Sequence, residues 1–459
     1  MNVTNEVQSR PRHGQTGAVE TNGELNWLLH RGIKSLLRCD EAEVVREIAR
    51  YVIAQYPVLR VGSEFVERRR NTFIAPLACF LGAVTRFLEI RRESSADGAT
   101  LWVARLNNER RAIEPLIALL PELNWNELTF HRKPSAAAVF ALIRELLPLR
   151  RRIFRLTRRL LRRRQKLFKV LRVAELVGYY IRYLHLFKKG NCRLAVMSSH
   201  SNPHGIAFNL AARRCGVPVV LITHGMPVRP VARLVYDIAV LHCEAARRTY
   251  LNEGCQIKEV LIHGRKQDYA PMPRTAPPSK ITVGVFLCKD VAESRLVELI
   301  ETLLNDPRIA QIIIRPHPKN LWRGLSEWVE LLNDSRIRES LAGSSSDDLA
   351  IVDVVFGGNS SVLIEAVTAG CPGVYVAGID HGSADLHHLV KSGLICAFDD
   401  RQGFDPNAIF NFYRQPDWID ILRDFANIDQ TETAVAEQLG VVLRRFADLS
   451  ESSKSATWQ

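Results

Sequence analysis

Side chains that can bind anions follow two apolar runs of the chain at the point where each run ends. Arg315 and His317, within the sequence RPHP, follow the β-branched run 312–314, and the sequence GGNSS follows the run 351–356. Such runs are typical of buried parallel strands, so both sequences are predicted to be strand-end loops. Ligands of open α/β sheets bind outside the carboxyl ends of the strands. We therefore expect the two loops to face one binding crevice.

The GGNSS loop has the composition of a phosphate site. A glycine-rich turn and two hydroxyls precede a predicted helix over 361–369, whose N-terminus offers backbone N–H groups and favours negative charge. The residues predicted to hold the phosphate are Gly358, Asn359, Ser360 and Ser361. In the alternative interpretation, Asn359 or Ser360 only caps the helix and the glycines serve the turn.

Three further side chains are predicted to complete this site. Prolines on both sides of His317 keep the RPHP backbone extended, so that Arg315 offers its guanidinium to a phosphate and His317 donates to a phosphate or a base. Glu365, one helical turn beyond the serines, is expected to accept hydrogen bonds from ribose hydroxyls. In the alternative for RPHP, the prolines form a rigid turn and His317 hydrogen-bonds within the protein. In the alternative for Glu365, its carboxylate is a surface charge or pairs within its own helix.

Histidines also follow two predicted strands in the first half of the chain. His224 comes after the strand 217–223 and is the predicted general base, because a histidine accepts a proton near neutral pH. The alternative is a histidine that hydrogen-bonds its own loop. His200 and His204, after the strand 194–197, form a second group of polar side chains at a strand end.

Composition limits the class of protein. With 459 residues and 47% hydrophobic content, the chain is long enough for more than one core, and its net charge of +13 indicates an anionic partner. The nine cysteines stand singly, without metal-site spacing, which is typical of reduced cytosolic proteins. The first 22 residues lack the apolar core of a secretory signal. The apolar stretch 73–90 contains Arg86 and Glu89 and is predicted to be a buried helix rather than a membrane span.

One segment carries most of the positive charge. Between Glu145 and Glu175 there are twelve lysines and arginines and no acidic residue, and apolar residues recur at helical spacing. This pattern predicts a basic amphipathic helix over 148–172 that lies on an anionic membrane surface. The arginines expected to contact lipid are Arg151, Arg155, Arg158, Arg159 and Arg162. In the alternative, the apolar stripe packs on the protein itself. Nucleic acid is not an expected partner, because no nearby sequence has a nucleic-acid-binding pattern.

The order of predicted elements indicates an α/β fold with two Rossmann-like domains. Helical periodicity without strand-like alternation over 24–94 precedes alternating strands and helices, and the proline-rich sequence 270–279 separates two such series. The predicted organisation is a disordered tail (1–22), an N-terminal α/β domain with a helical opening and the basic helix (23–269), a linker (270–279), a C-terminal α/β domain (280–415), C-terminal helices (416–449) and a second disordered tail (450–459).

Taken together, these residues resemble the GT-B glycosyltransferases of bacterial surface polysaccharide synthesis. The HP and SS motifs resemble those of sialyl- and Kdo-transferases, and RPHP resembles that of the CDP-glycerol glycerophosphotransferases. The resemblance implies donor contacts for Arg315, His317, Ser360, Ser361 and Glu365, and it matches His224 in THG to the histidine of the HG motif. The sequence departs from these families by having neither their D-(D/E)-G motif nor the YSS form.

The resemblance implies an inverting glycosyltransferase that uses a nucleotide sugar linked to CMP or another nucleotide. It also implies that the C-terminal domain binds the donor and that the N-terminal domain lies on the acceptor side, where His200 and His204 are the candidate contacts. It implies no cofactor, and without a DxD motif no metal is expected. The expected acceptor is a surface or capsular glycan, in free or lipid-linked form, and the expected location is the cytoplasmic face of the membrane. Two alternatives stay open: a sugar-nucleotide 2-epimerase of the same fold, and a non-catalytic, membrane-associated factor for polysaccharide assembly.

Overall fold

A computed structural model describes residues 74–92, 99–131, 133–162, 167–189, 192–200, 202–223, 225–227, 231–262, 274, 276–288, 291–317, 324–380, 385–399, 401, 403–426 and 437–445. The predicted helical opening before residue 74, both predicted tails and part of the predicted linker lie outside these residues. Contacts divide the chain into two compact units. Unit 1 comprises Met1–Asp97, Glu127–Asn191 and Asn202–Gly216, and unit 2 comprises Gly98–Asn126, Cys192–Ser201 and Val217–Gln459. The predicted domain boundaries stay predictions.

The helices and strands alternate through most of the described chain. In chain order they are α1 (Ile74–Leu88), β1 (Ile90–Arg92), β2 (Thr100–Val103), α2 (Asn107–Leu119), β3 (Trp125–Phe130), α3 (Ala136–Ala141), α4 (Arg150–Arg162), α5 (Leu167–Lys189), β4 (Leu194–Met197), α6 (Pro203–Arg214), β5 (Val219–Ile222), β6 (Val235–Leu241), α7 (Glu244–Asn252), β7 (Gln256–Ile262), β8 (Ile281–Phe286), α8 (Glu293–Leu304), β9 (Ile309–Arg315), α9 (Leu325–Leu332), β10 (Ile337–Glu339), α10 (Ser345–Leu349), β11 (Val354–Gly357), α11 (Val362–Thr368), β12 (Gly373–Tyr375), β13 (Cys396–Ala397), α12 (Pro406–Phe412) and α13 (Trp418–Phe425).

Unit 2 contains two sheets of parallel strands, which confirms the predicted α/β class with two Rossmann-like parts. The first has the order β2-β4-β5-β6-β7 and the second has the order β10-β9-β8-β11-β12-β13. Most central strands are buried along their whole length, as their continuous apolar sequences predict. Parallel pairing places the carboxyl ends of the strands at one edge of each sheet, and the loops at these edges are the places for chemistry.

The last described helix, residues 437–445, completes the core of the first sheet. Leu439, Val442 and Leu443 are buried in the apolar cluster that Val196 and Val240 of the sheet also join. Arg444 Nε donates to Glu122 at 2.8 Å, and Arg445 is hydrogen-bonded to Glu259 of β7. The helix α13, in the second half of unit 2, packs against α7, the helix that follows β6 of the first sheet. Arg248 of α7 and Asp424 of α13 form an ion pair of 2.6 Å.

In unit 1, the segment predicted as one basic helix is helical over its described residues, as α4 up to Arg162 and as α5 from Leu167 onward. Residues 163–166 between them lie outside the described residues, so the prediction of a single helix over 148–172 stays a prediction. The helix α5 continues to Lys189. Glycine commonly follows the end of a helix, and the sequence has none between Gly178 and Gly190. The apolar stripe of α4, with Ile153, Leu156 and Leu160, is buried in the protein, as the alternative interpretation expects. Exposed arginines occupy the other side, namely Arg151, Arg155, Arg158 and Arg159, while the side chain of Arg162 lies outside the described residues.

The helix predicted over 73–90 is observed as α1; Cys79, Ala83 and Phe87 are buried, whereas Leu77 and Leu81 are exposed, and its charges are paired with α5. The guanidinium of Arg86 donates to Glu175 at 2.9 and 3.0 Å and to Glu89 at 2.9 Å. Glu175 also accepts from Arg172 at 2.8 Å, and Glu89 accepts from the Tyr179 hydroxyl. A buried charge is tolerated only when it is paired in this way. None of the described helices is long and apolar enough to cross a bilayer.

The expectation that residues 24–94 contain no strand is wrong at the end of that range. β1 pairs antiparallel with β3, with Ile90 opposite Phe130 and Arg92 opposite Leu128. Three residues are too few to show an alternating pattern, so the strand gives no signal in the sequence. The position of β1 depends on its pairing with β3, which lies about forty residues further along the chain.

The Arg86 network predicts the effect of removing one carboxylate. The Glu175→Gln substitution leaves two arginines facing a neutral amide in a largely buried position, and we expect it to lower the free energy of unfolding by about 3 kcal/mol. Urea denaturation followed by circular dichroism measures the change. The matched control is Glu244→Gln, which breaks an exposed pair with Arg247 and should change the free energy of unfolding by about 0.5 kcal/mol or less. Equal effects of the two substitutions would contradict a structural role for the network.

Candidate functional site

The second sheet reverses its direction of growth next to β8. From β8 the chain adds β9 and then β10 on one side, and it afterwards adds β11, β12 and β13 on the other side. In open α/β sheets, the helices that follow two such strands lie on opposite faces of the sheet and leave a crevice at the carboxyl edge between the strands. This is the position at which open α/β sheets bind ligands.

The strand register brings the RPHP and GGNSS loops to one level of this edge. Phe286, the last residue of β8, lies opposite Arg315 of β9 and opposite Gly357 of β11. Adjacent strands are about 4.8 Å apart, so the backbones that begin the two loops are separated by roughly 10 Å with only β8 between them. The common edge that the sequence predicts for the two loops is observed.

Gly358 is required by the close approach of another loop. A Cβ atom at this position would lie 2.8 Å from Asp380 Oδ2 and 2.9 Å from Ile379 Cγ2, which is shorter than van der Waals contact allows. A side chain at residue 358 would therefore displace the Asp380 carboxylate. The glycine serves this packing, and the place that it leaves is filled by the loop following β12.

Asn359 is held on every polar atom of its side chain. Its backbone N–H donates to Asp380 Oδ2 at 2.7 Å, and its Nδ2 donates to Asp380 Oδ1 at 3.2 Å and to the Tyr375 hydroxyl at 3.3 Å. Its Oδ1 accepts from the backbone N–H of Leu386 at 2.8 Å. The side chain thus fixes the conformation of the GGNSS loop. Burial and the neighbouring Asp380 raise the pKa of Tyr375 to about 12, so its phenol stays neutral.

Residues 385–391 form a turn that joins the GGNSS loop to the first half of unit 2. The Asp385 carboxylate caps the turn by accepting from the backbone N–H groups of Leu389 and Val390, each at 2.8 Å. His387 is hydrogen-bonded to the backbone carbonyl of Pro227, in the loop that follows β5. Because a carbonyl only accepts, His387 is the donor. The loop after β5 is the one that contains the predicted base, His224, which itself lies outside the described residues.

Burial lowers the pKa of His387 below its ordinary value, against the opposing effects of Asp385, the Pro227 carbonyl and Asp380. Its Nδ1 is buried and has no hydrogen-bond partner within the described part of the chain. The ring is therefore neutral near pH 7, with the proton on the nitrogen that faces Pro227. A neutral imidazole is fixed between the two loops that the sequence assigns to donor and base.

The two serines of GGNSS stand at the start of α11 and differ in their contacts. Ser360 Oγ accepts from the backbone N–H of Val362 at 3.3 Å, which is the capping contact of the alternative interpretation. Ser361 precedes the first helical residue and caps nothing with its side chain. Glu365 Oε2 accepts from Ser345 Oγ at 3.2 Å, and this contact joins α11 to the start of α10.

Arg315 is held in an ion pair that the sequence did not reveal. Its Nη1 donates to Asp348 Oδ2 at 2.5 Å and to the Ala342 carbonyl at 3.2 Å. Asp348 is almost fully buried, and its carboxylate also accepts from Ser340 Oγ at 2.6 Å. One part of the guanidinium therefore fixes the loop after β10. His317, two residues beyond the end of β9, is half-buried at the same edge.

The side chains of His200 and His204 are both buried. His200, after β4, is buried and meets the ring of Tyr250 edge to face, with 5.2 Å between ring centroids. His204, on α6 in unit 1, is buried against Phe130 and Tyr179, at 5.6 and 6.1 Å between ring centroids. The acceptor-side role of both residues stays a prediction.

Sequence reasoning missed Asp348, Asp380 and His387. Ser344 and Asp347 form a capping box, a pattern readable as a helix start. The capping box predicts the start of α10. It does not predict the ion pair between Asp348 and Arg315, because Arg315 is 33 residues away in the sequence. Asp380 and His387 follow short elements with no alternation or motif, so the sequence contains no signal for them.

Among the described residues, no group of three or more His, Cys, Asp or Glu side chains could hold a metal ion. Metal independence stays a prediction, since His224 and other polar residues lie outside that part of the chain.

No protein-family model matches the chain, and a comparison with curated proteins finds no significant match. Among solved structures, the chain is similar to the calicheamicin glycosyltransferase CalG4, with 11% identity and a TM-score of 0.45 over 76% of this chain and 98% of that chain. It is also similar to a UDP-N-acetylglucosamine 2-epimerase (12%, TM-score 0.42, 76% and 97% of the two chains) and to UDP-GlcNAc 2-epimerase from Neisseria meningitidis bound to UDP-GlcNAc (11%, TM-score 0.40, 81% and 97%). These TM-scores lie below 0.5, so the reaction of this protein has to be inferred from its own residues.

Proposed function

We propose that this protein is a glycosyltransferase of the GT-B class that transfers a sugar from a nucleotide-sugar donor to a glycan acceptor. One observation carries the proposal: the RPHP and GGNSS loops leave the second sheet at one level, on either side of β8, where the direction of growth reverses. Serine, histidine and backbone N–H donors at such an edge suit the phosphates of a nucleotide. The +13 net charge also favours an anionic donor.

The proposed mechanism is direct displacement with inversion and without a metal. A base removes the proton from an acceptor hydroxyl while its oxygen attacks the anomeric carbon, and the bond from that carbon to the phosphate oxygen breaks. The nucleotide leaves with the electron pair, and donors of the GGNSS and RPHP loops stabilise the charge that develops on it. His224 is the proposed base, and Ser360, Ser361, His317, Arg315 and Glu365 are the proposed donor contacts.

Arg315 is proposed to act through the part of its guanidinium that the Asp348 ion pair leaves available. Only Nη1 contacts Asp348, Ala342 and Ser340, and the side chain is 15% exposed. The remaining N–H groups of the guanidinium fork are then the ones offered to a phosphate. Asp348 fixes the direction in which they point.

The acceptor and the location belong to the same proposal. A surface or capsular glycan, carried on a lipid, would be reached by an enzyme bound to the inner face of the cytoplasmic membrane. The exposed arginines of α4 support this, because each basic side chain near an anionic lipid surface contributes about 1 kcal/mol of attraction.

A thermal-shift screen with CMP, CDP, UDP and GDP tests the donor site. A ligand that binds only the native state raises its stability, by about 2.7 kcal/mol at a hundredfold excess over Kd. We expect at least one nucleotide to raise the unfolding temperature, and a response to CMP alone would indicate a CMP-linked donor. If none of the four does so, the site assignment is wrong and the interpretation as a non-catalytic assembly factor is favoured.

Ser361→Ala tests the phosphate contact. The hydroxyl of Ser361 caps nothing in the structure, so its loss should leave stability nearly unchanged while weakening the nucleotide complex by at least tenfold, the usual effect of losing a hydrogen bond to a charged group. The matched control is Thr302→Ala, near the end of α8 away from the carboxyl edge, whose hydroxyl bonds only its own helix. Unchanged nucleotide affinity in Ser361→Ala would rule out the contact.

His387 provides a prediction on pH. Because its pKa is lowered in the folded state, the unfolded chain binds the proton first as the pH falls below about 6.5. The stability that neutral His387 contributes is therefore present above that pH and is lost as the pH falls through the native pKa. We expect wild type to be more stable than His387→Gln at pH 7 and the difference to shrink at pH 5. Urea denaturation at both values measures it, and a constant difference would contradict the buried neutral state.

The products distinguish transfer from epimerisation. A transferase releases the nucleotide only when an acceptor is present, whereas a 2-epimerase converts the nucleotide sugar to its epimer in the absence of any acceptor. The nucleotide sugar that the screen selects is incubated with and without a bacterial lipid extract, and the products are separated by chromatography. Formation of the epimer without lipid would replace the transferase proposal by the epimerase.

A further inference from the structure

Residues 136–162 form one continuous helical path in unit 1. α3 passes into a wide π-helical turn, Leu142–Leu146, then into a tight 3₁₀ turn, Leu147–Leu149, and then into α4. The residues at the joins keep right-handed helical backbone angles, as Leu142, Leu147 and Arg150 show. Pro148, in the 3₁₀ turn, has no backbone N–H and cannot donate a hydrogen bond of a regular α-helix. The π-helical and 3₁₀ turns therefore replace regular α-helix at and before this proline.

The outward side of this path changes from apolar to basic along its length. In the first part Val139, Phe140 and Ile143 are 39%, 67% and 57% exposed. In the second part the exposed side chains are Arg151, Arg155, Arg158 and Arg159. The inward side is apolar throughout, since Ala138, Ala141, Leu146, Ile153, Leu156 and Leu160 are all buried. The buried stripe of α4 cannot enter a membrane, but the apolar side chains preceding it are accessible.

A second exposed apolar pair lies on a neighbouring helix of the same unit. Leu77 and Leu81 of α1 are one turn apart and are 46% and 52% exposed. α1 packs against both α3 and the π-helical turn. Single exposed apolar residues are common on proteins, whereas several of them on elements in contact indicate an interaction surface.

The charge next to this apolar group selects the partner. Residues 136–162 contain eight arginines and one acidic residue, Glu145, which is paired with Arg144 at 3.2 Å. Apolar side chains beside clustered arginines match the boundary of an anionic bilayer, where acyl chains lie just below acidic headgroups. A protein partner would need a complementary acidic groove, and no nucleic-acid pattern accompanies the arginines.

We propose that residues 136–162 are a membrane-docking element in which Phe140, Ile143 and Val139 insert among the acyl chains while the arginines of α4 bind anionic headgroups. This rests on the membrane part of the proposed function, and it moves the apolar contact from the stripe of α4 to the segment before it. The element lies on the membrane and does not cross it. The reaction proposed above does not depend on it.

Co-sedimentation of the full chain with vesicles tests the proposal. The vesicles are phosphatidylcholine alone and phosphatidylcholine mixed with phosphatidylglycerol, at low and high salt. We expect binding to the anionic vesicles only, weakened steeply by salt. Phe140→Ser with Ile143→Ser, and separately Arg155→Gln with Arg158→Gln, should each lower the partition coefficient about tenfold. The matched controls are Leu331→Ser with Ile351→Ser and Arg247→Gln with Arg423→Gln, all exposed in unit 2 and expected to bind as wild type.

The outcomes that would overturn the proposal are distinct from a failure of the donor site. Equal binding to both kinds of vesicle would exclude headgroup recognition, and wild-type binding by the Phe140/Ile143 variant would exclude apolar insertion. Binding to RNA in place of vesicles would exclude the membrane. Every variant is also measured by the nucleotide thermal shift, which should remain that of wild type because all the substituted side chains are exposed and none belongs to the RPHP or GGNSS loop. If no nucleotide raises the unfolding temperature of wild type, the donor-site assignment is wrong, and the vesicle-binding result is unaffected.

Discussion

The placement of β8 between β9 and β11 is the constraint on which the candidate site depends. Both neighbours pair with β8 in parallel, so the three strands end at one edge and their loops must leave side by side. A register shift of one residue in either pair would turn each side chain of the shifted strand to the opposite face. Such a shift is costly because β8, β9 and β11 are largely buried, and isoleucine, valine and phenylalanine side chains would have to exchange places in a close-packed core. The apolar core thus sets the spacing of the polar loops.

A second level of control is polar and lies in the loops themselves. Asp380 and Asp348 are nearly buried carboxylates, and each holds one half of the edge: the first fixes Asn359, and the second fixes Arg315. A buried carboxylate without donors would be costly, so each one requires its loop to keep its observed conformation. The edge is preformed around these two anions, and in the proposed function Ser361 and the rest of the Arg315 guanidinium are the groups that contact the donor.

The sequence was sufficient for the parts that depend on local pattern. β-Branched runs located β9 and β11, the break after Ala369 located the end of α11, and the grouping of polar residues after each strand located the common edge. It was insufficient where a residue takes its role from a distant partner. Asp348, His387 and the strand β1 each depend on contacts with residues more than thirty positions away, and no local spacing encodes them. In the basic segment, periodicity revealed an amphipathic helix but could not tell that its apolar stripe, with Ile153, Leu156 and Leu160, would be covered by the protein itself.

The helix at residues 437–445 has a consequence for how the chain folds during synthesis. Leu439, Val442 and Leu443 belong to the core of the first sheet, whose strands begin near residue 100. Domains usually fold from the N-terminus as they emerge from the ribosome. Here the N-terminal sheet has to wait for the last part of the chain before its apolar face is covered, by which time the second sheet has already been made. The C-terminal half is therefore the part of unit 2 that can fold first, and the first sheet lacks this part of its core until residues 437–445 have left the ribosome.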